Sequence, residues 1–202
     1  NIETNASACS IGVVSRIEGP GLPLAAAALP GDGSTPARLF VGGTEGMVEV
    51  RGEAVGPPDE FGPATLAGRA ASADFSGSVA ALAAVVMPAP RLFALEWRGA
   101  AELGTLHVFD ATARDLRLLQ RIPVLPIAGP AGVRLLVGEL DGERGLEIVL
   151  AAEAGAQKLQ AWRARADQFV PWQPRFAPDR LDPPLLHAAV LEGPGSWPRL
   201  FL

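Results

Sequence analysis

The sequence predicts an all-β fold, a β-propeller of about four degenerate blades. The main observation is a charged-aliphatic tripeptide that recurs four times, with central residues 53, 56 and 52 positions apart. The four copies are Arg38-Leu39-Phe40, Arg91-Leu92-Phe93, Glu147-Ile148-Val149 and Arg199-Leu200-Phe201. Small aliphatic residues precede each copy, and an alternating run follows the first three. Repetition at this period is typical of stacked supersecondary units.

The runs before the tripeptides predict the first strand of each unit. They comprise Leu24–Leu29, Val79–Val86, Val133–Leu140 and Leu185–Leu191. Their many alanines suit innermost strands, which crowd around a propeller axis. Alanine also favours helices, so a mixed domain remains open beside a β-sandwich. We prefer the propeller because helices would not explain the repeated strand pairs.

Alternating residues after the tripeptides predict a third strand in each complete unit. These segments are Met47–Val50, Leu106–Phe109 and Leu159–Trp162. Weaker patterns at Leu116–Ile122 and Gln168–Trp172 predict a fourth strand in two units. Three or four short antiparallel strands per repeat are typical of one propeller blade.

The repeats divide the chain into four units within one domain or propeller segment, residues 1–202. The predicted units are 24–75, 76–130, 131–182 and 183–202. Residues 1–23 would complete the last blade if the ring closes within this chain. The alternative is a segment of a larger propeller, and the spacing does not decide between the two.

Charge and cysteine content exclude several classes of protein. With 17 basic and 22 acidic residues, the net charge is −5, which argues against nucleic acid as the partner. The longest apolar stretch, Val79–Pro90, is too short to span a bilayer, so no transmembrane segment is expected. Cys9 is the single cysteine, which leaves no internal disulfide.

One segment of the third unit, Val137–Val149, carries an acidic loop between two aliphatic stretches. It resembles the FG-GAP/VCBS repeat of integrin-α-like propellers. The acidic positions are Glu139, Asp141, Glu143 and Glu147. The resemblance implies that these four side chains bind calcium, an ion that takes oxygen ligands. It also implies a secreted or periplasmic location, outside the cytoplasm, and a protein partner.

The other units favour a hairpin that has lost calcium. Arg38, Arg91 and Arg199 occupy the position of Glu147, and a guanidinium does not ligate metals. We expect these arginines to pair with carboxylates of adjacent blades. A second resemblance, to PilY-type pilus-tip and quinoprotein-like propellers, rests on Leu39–Val48 and Gly104–Asp110.

The sequence offers little for catalysis, and we predict that the protein is not an enzyme. Of the two histidines, His107 lies on an alternating strand where Glu49 and Gln160 are expected to be its equivalents, and His187 lies in a small-residue strand. Trp172 and Trp197, beside prolines at strand ends, are the candidate partner-binding residues. The predicted function is a non-catalytic interaction or scaffold module in a larger assembly. The alternatives are a pilus-tip or adhesin-like propeller and an enzyme-associated, quinoprotein-like subunit.

Overall fold

The protein is described from a computed structural model. It describes residues 21–30, 37–54, 61–68, 75–86, 88–113, 115–140, 144–152, 159–173, 189–191 and 199–201. Side chains are not described for 51–54, 61–68, 189–191 and 199–201. Across the described ranges the fold is all-β, as the sequence predicts, and they contain no helix that could cross a bilayer.

In the described part of the chain, fourteen strands form three four-stranded sheets and one pair. Sheet 1 comprises β1 (Pro23–Leu29), β2 (Arg38–Gly43), β3 (Gly46–Ala54) and β4 (Phe61–Gly68). Sheet 2 comprises β5 (Ser78–Val85), β6 (Arg91–Trp97), β7 (Gly104–Asp110) and β8 (Arg117–Val124). Sheet 3 comprises β9 (Val133–Gly138), β10 (Glu147–Ala152), β11 (Leu159–Arg165) and β12 (Gln168–Pro171). Sheet 4 is the pair β13 (Ala189–Leu191) and β14 (Arg199–Phe201).

Within each sheet, neighbouring strands pair antiparallel in chain order. The first, second and third strands predicted for units one to three are confirmed, as is the fourth strand in units two and three. The strand missing from the prediction is β4. Pro63 interrupts this strand, and its sequence Phe-Gly-Pro-Ala-Thr-Leu-Ala-Gly has no clear period of two.

The sheets pack face to face in the order of the chain. One cluster, including Phe40, Leu82 and Leu92, lies between sheets 1 and 2. A larger cluster, including Phe93 and Ile148, lies between sheets 2 and 3. The first strands also contact each other in sequence, β1 with β5, β5 with β9 and β9 with β13. Sheets 1 and 2 are in close contact at Gly42, where an added Cβ would lie 2.6 Å from Cγ1 and 2.9 Å from the carbonyl oxygen of Val79.

The strand register defines which positions are equivalent in the three sheets. Leu39 pairs with Val50, Leu92 with Phe109 and Ile148 with Trp162. Leu92 and Ile148 are fully buried, each within the cluster that joins its sheet to the preceding one. These pairs therefore lie on the face that each sheet turns toward the sheet before it.

The same register corrects one expected equivalence. His107 pairs with Ala94, two residues after Leu92, and Gln160 pairs with Leu150, two residues after Ile148. Glu49 instead pairs with Phe40, one residue after Leu39, and so lies on the opposite face. Glu49 lies one residue before Val50, the partner of Leu39, whereas His107 and Gln160 each lie two residues before the equivalent partner, and successive residues of a strand point to opposite faces.

Candidate functional site

Glu147, the last acidic residue of the predicted calcium loop, is fully buried at the start of β10. Its Oε2 accepts a hydrogen bond from the Leu140 backbone N–H at 2.8 Å. Its Oε1 accepts one from Arg163 Nε at 3.1 Å. A guanidinium and an N–H group thus engage its two oxygens, which gives Glu147 a role in the fold that needs no metal.

Glu139 lies at the other side of the loop, and its Oε2 is buried. Asp141 and Glu143 lie outside the described residues. Within the described ranges, no group of three His, Cys, Asp or Glu residues could hold a metal ion. Calcium binding by the loop therefore stays a prediction.

Trp172, a candidate partner-binding residue, is half-buried just after β12. Its ring packs against a small apolar cluster on the outer face of sheet 3 that includes Leu136 and Val149. The guanidinium of Arg163 lies 4.7 Å from the ring centroid, a cation–π distance. Arg163 thus joins Glu147 to Trp172. The second candidate, Trp197, lies outside the described residues.

Arg38 occupies in sheet 1 the position that Glu147 has in sheet 3. It binds Glu49 of its own sheet, with Nε to Oε1 at 2.6 Å and Nη2 to Oε2 at 3.2 Å. Nη1 also donates to the carbonyl oxygens of Ala111 and Ala113, which follow β7 of sheet 2. We expected Arg38 to pair with a carboxylate of an adjacent blade. Its described carboxylate partner lies in its own sheet, and its hydrogen bonds to the adjacent sheet are to backbone carbonyls.

Arg91, the equivalent residue of sheet 2, lies 5.9 Å from the ring centroid of Phe169 in sheet 3. The side chain of Arg199 lies outside the described residues, as does the whole of His187. The described position of Arg91 adds a contact between sheets 2 and 3.

Glu96 is the centre of a buried polar network in sheet 2. Its oxygens accept hydrogen bonds from Ser76 N and Oγ, from Arg98 and from His107 Nε2 at 2.9 Å. An ionised carboxylate only accepts, so Nε2 of His107 carries the proton. Burial acts to raise the pKa of Glu96, but the bonds from Arg98, His107 and Ser76 outweigh it and lower that pKa from 4.5 to about 2.

Two glutamine side chains tie sheet 2 to sheet 3 in opposite directions. Gln120 of β8 donates to the Phe169 carbonyl at 3.0 Å and accepts from the Phe169 N–H at 2.8 Å. Gln160 of β11 makes the same two kinds of bond with Leu125, at 3.3 and 2.8 Å. Each side-chain amide therefore bonds both the backbone N–H and the backbone carbonyl of one residue, as a neighbouring strand would. These four hydrogen bonds hold sheets 2 and 3 together.

Half of one face of sheet 1 is exposed, and we call it the leading face. It consists of Ala26 and Ala28 of β1 and their cross-strand partners Val41 and Leu39 of β2. Leu39 is 41% exposed, whereas its equivalents Leu92 and Ile148 are fully buried. Val48 and Val50 of β3, on the same face, are buried, so the exposed area lies over the two inner strands.

A second apolar surface lies at one end of the sheets, where hairpins join the second and third strands. We call it the hairpin end. It includes the turn at Thr44 and Glu45 and the turn over residues 98–103. The three most exposed large apolar side chains of the described residues are here: Leu22 (73%), Leu103 (56%) and Leu125 (44%).

The pairing places these leucines at the same end. Leu22 precedes Pro23, which pairs with Gly43 beside the Thr44 turn. The Thr44 carbonyl lies 3.5 Å from Ser78 Oγ, which brings the starts of sheets 1 and 2 together. Ser78 pairs with Trp97, ahead of the hairpin that ends at Leu103. Leu125 follows Val124, the partner of Gly104.

Sequence reasoning missed the hairpin end, although a signal was present. Leu22 follows Gly21, Leu103 precedes Gly104 and Leu125 precedes Pro126. A large apolar residue beside a turn residue has no strand neighbours to bury it. Comparisons with protein-family models, with curated proteins and with solved structures each found no match.

Proposed function

We propose that this chain is a non-catalytic interaction module of the propeller type, which works as a scaffold within a larger assembly. Its sheets would be blades, arranged about an axis lined by β1, β5 and β9. The support for a propeller is the chain-order packing of antiparallel sheets through their first strands. A second sheet of the same kind, from a partner or from another copy, would cover the leading face.

The observation that carries this proposal is the exposure of Leu39. In sheets 2 and 3 the equivalent leucine and isoleucine are fully buried against the sheet before them. Burying a fully exposed side chain of this size contributes about 1.5–3 kcal/mol, so covering the exposed 41% of Leu39 would contribute about 0.6–1.2 kcal/mol. A sheet docked on the leading face would gain this contribution and would repeat an arrangement that the chain already uses twice.

The described polar residues support a non-catalytic role. Glu96, Glu147, Gln120 and Gln160 are each engaged in hydrogen bonds that join strands or sheets. A general base or nucleophile needs access to a substrate. The engaged groups lack that access, so their role in this proposal is structural.

The location and the family belong to the same proposal. The Val137–Val149 segment resembles an FG-GAP/VCBS repeat, and that resemblance supports a periplasmic or secreted protein. The segment forms β9, a connection and β10, as such a repeat would. Calcium in the loop would depend on Glu139 and on two residues outside the described ranges, Asp141 and Glu143.

The native mass of the protein tests the proposal. The protein is released from its source without denaturant, and its particle mass is measured by light scattering beside its denatured chain mass. We expect a native particle heavier than one chain. Leu39→Asp is expected to release the single chain, because a carboxylate on the leading face opposes docking of a second apolar face.

The matched control is Leu119→Asp. Leu119 is 42% exposed, against 41% for Leu39, but lies on the outer strand β8. It should leave the particle intact. A wild-type particle with the mass of one chain would contradict the proposal, as would a Leu39→Asp particle of unchanged mass.

A further inference from the structure

We propose that the hairpin end docks a protein segment whose apolar side chains are flanked by lysine or arginine. The inference rests on the proposed role as an interaction module, and it names a surface and a partner chemistry for that role. A single exposed leucine needs no explanation. Here the three most exposed large apolar side chains of the described residues share one end of the molecule.

The backbone of Leu22 is held in place although its side chain faces solvent. Its N–H donates to Thr44 Oγ1 at 3.1 Å, and its carbonyl accepts from the Thr44 N–H at 3.1 Å. Both polar groups of the residue are therefore bound by one neighbour. The exposed side chain is presented from a rigid position.

Leu125 is held in the same way by a different residue. Its N–H donates to Gln160 Oε1 at 2.8 Å, and its carbonyl accepts from Gln160 Nε2 at 3.3 Å. Two exposed leucines from different parts of the chain thus have both backbone groups bound. A surface ordered before binding loses less conformational entropy when a partner docks.

Leu103 completes the surface in the hairpin between β6 and β7. A bond from the Glu102 N–H to the Gly99 carbonyl, at 3.2 Å, closes this turn. Gly104 then begins β7, and a Cβ at this position would lie 3.0 Å from the Glu96 carbonyl oxygen. The hydrogen bond fixes the turn before Leu103 and the close packing fixes the chain after it, so Leu103 projects from a defined loop.

The charges beside these leucines indicate the sign of the partner. Glu45 and Glu102 are exposed in the two hairpin turns. Two exposed arginines lie at the same end: Arg98, whose Nε binds the buried carboxylate of Glu96 at 3.2 Å, and Arg134, near the start of β9. Three carboxylates therefore face two guanidiniums, so these described residues combine apolar side chains with one negative charge in excess. A complementary segment carries apolar and basic residues.

The same charges argue against two other occupants. An anionic lipid surface would be repelled by Glu45 and Glu102, since it attracts basic rather than acidic segments. A second copy docked symmetrically through this end would bring its own acidic turns against these. A basic, apolar protein segment satisfies both features.

Fluorescence anisotropy with synthetic peptides tests this inference on the full chain. The first probe alternates leucine with lysine, the second leucine with glutamate and the third serine with lysine. We expect saturable binding of the leucine–lysine peptide, with affinity at least about tenfold above that of the other two. Binding should weaken as salt rises, because salt screens exposed charges.

Variants locate the binding surface. The triple variant Leu22→Ser, Leu103→Ser and Leu125→Ser should lose affinity by about tenfold or more. Glu45→Gln with Glu102→Gln should reduce both the affinity and its salt dependence. Leu119→Ser is the matched control, because it removes a leucine of similar exposure away from the hairpin end. Circular dichroism and urea unfolding verify that each variant is folded.

The inference would be overturned if the folded triple variant kept the wild-type affinity, or if the leucine–glutamate peptide bound as tightly as the leucine–lysine peptide. It would also be overturned if the protein bound vesicles or associated with itself and the triple variant abolished that behaviour. The assembly proposal fails differently, since it is read from the native mass of Leu39→Asp. Peptide binding by the hairpin end and sheet docking on the leading face can therefore fail separately.

Discussion

Glu147 and Arg163 form an ion pair whose charges are reversed relative to the equivalent position of sheet 1. There, Arg38 at the start of β2 binds Glu49 on β3. In sheet 3, Glu147 at the start of β10 binds Arg163 on β11. Each pair joins the second strand to the third. In sheets 1 and 3 this position therefore holds a buried charge with an opposite partner, and the sign of the charge differs between the two sheets.

This relationship gives Glu147 a structural role that a comparison of loop motifs does not suggest. The guanidinium of Arg163 supplies an opposite charge beside the fully buried carboxylate of Glu147. The acidic residue at this position is thus explained without a metal.

The first prediction concerns the cost of breaking the pair in sheet 1. Arg38→Met should lower the free energy of unfolding by about 3–5 kcal/mol, because it leaves the buried Glu49 carboxylate without its guanidinium. The double variant with Glu49→Met should regain most of that loss. Urea unfolding measures both.

Arg117→Met provides the control, since Arg117 also pairs with a carboxylate but its side chain is 74% exposed. That change should cost at most about 1 kcal/mol. An Arg38→Met protein as stable as the Arg117→Met protein would show that the buried pair does not stabilise the fold.

The second prediction concerns calcium and Glu147. Glu147→Gln should lower the thermal midpoint by the same amount in EDTA and in about 1 mM calcium, because its carboxylate serves Arg163 and the Leu140 N–H. Differential scanning calorimetry provides the comparison. A wild-type midpoint that rises with calcium, and a Glu147→Gln midpoint that does not, would assign Glu147 to a metal site.

The third prediction is a loss of stability in acid. The pKa of Glu96 is about 2 in the folded protein, against an ordinary value of 4.5. The folded state therefore binds fewer protons, and the stabilisation is complete above about pH 4.5 and lost as the pH falls toward 2. For Glu96 the effect is on the order of 3 kcal/mol.

Asp110 acts in the same direction. Hydrogen bonds from Thr112 and Arg117, opposed by partial burial, lower its pKa from 3.8 to about 2. Glu96→Gln should start from a lower stability at neutral pH and show a smaller fall between pH 4.5 and 2. Urea midpoints measured across this pH range test the role of Glu96. Equal falls in the midpoints of the wild-type and Glu96→Gln proteins would refute it.

The fourth prediction tests the contact between sheets 1 and 2. Gly42→Ala should destabilise the protein by about 1–3 kcal/mol, because the new methyl group would overlap Val79 of β5. Gly129→Ala is the matched control, since no heavy atom lies within 4 Å of a Cβ there. Equal stability of the two variants would mean that the sheets are not in contact at Gly42.

Much of the strand pattern could be predicted because each buried strand alternates or carries a compact aliphatic run. The position of Glu49 could not. The register decides which residue of β3 opposes Leu39, and that residue is Val50, one position after Glu49. A difference of one residue places a side chain on the opposite face.

The candidate sites were harder to predict for a related reason. Arg163 is 16 residues from Glu147, and only the antiparallel register of β10 and β11 brings them opposite each other. The hairpin end also depends on pairing, because Leu22 and Leu125 lie far apart in the chain. Chain-local patterns indicate strands, whereas sites form from residues that the register brings together.

Mapping the binding surface by nuclear magnetic resonance tests whether a basic, apolar segment docks at the hairpin end. The ¹⁵N-labelled chain would be titrated with the leucine–lysine peptide while backbone amide shifts are recorded. We expect the largest changes at Leu22, Thr44, Leu103 and Leu125. Changes confined to the opposite end, around Arg117 and Gly145, would rule out docking at the hairpin end, as would a spectrum that the peptide leaves unchanged.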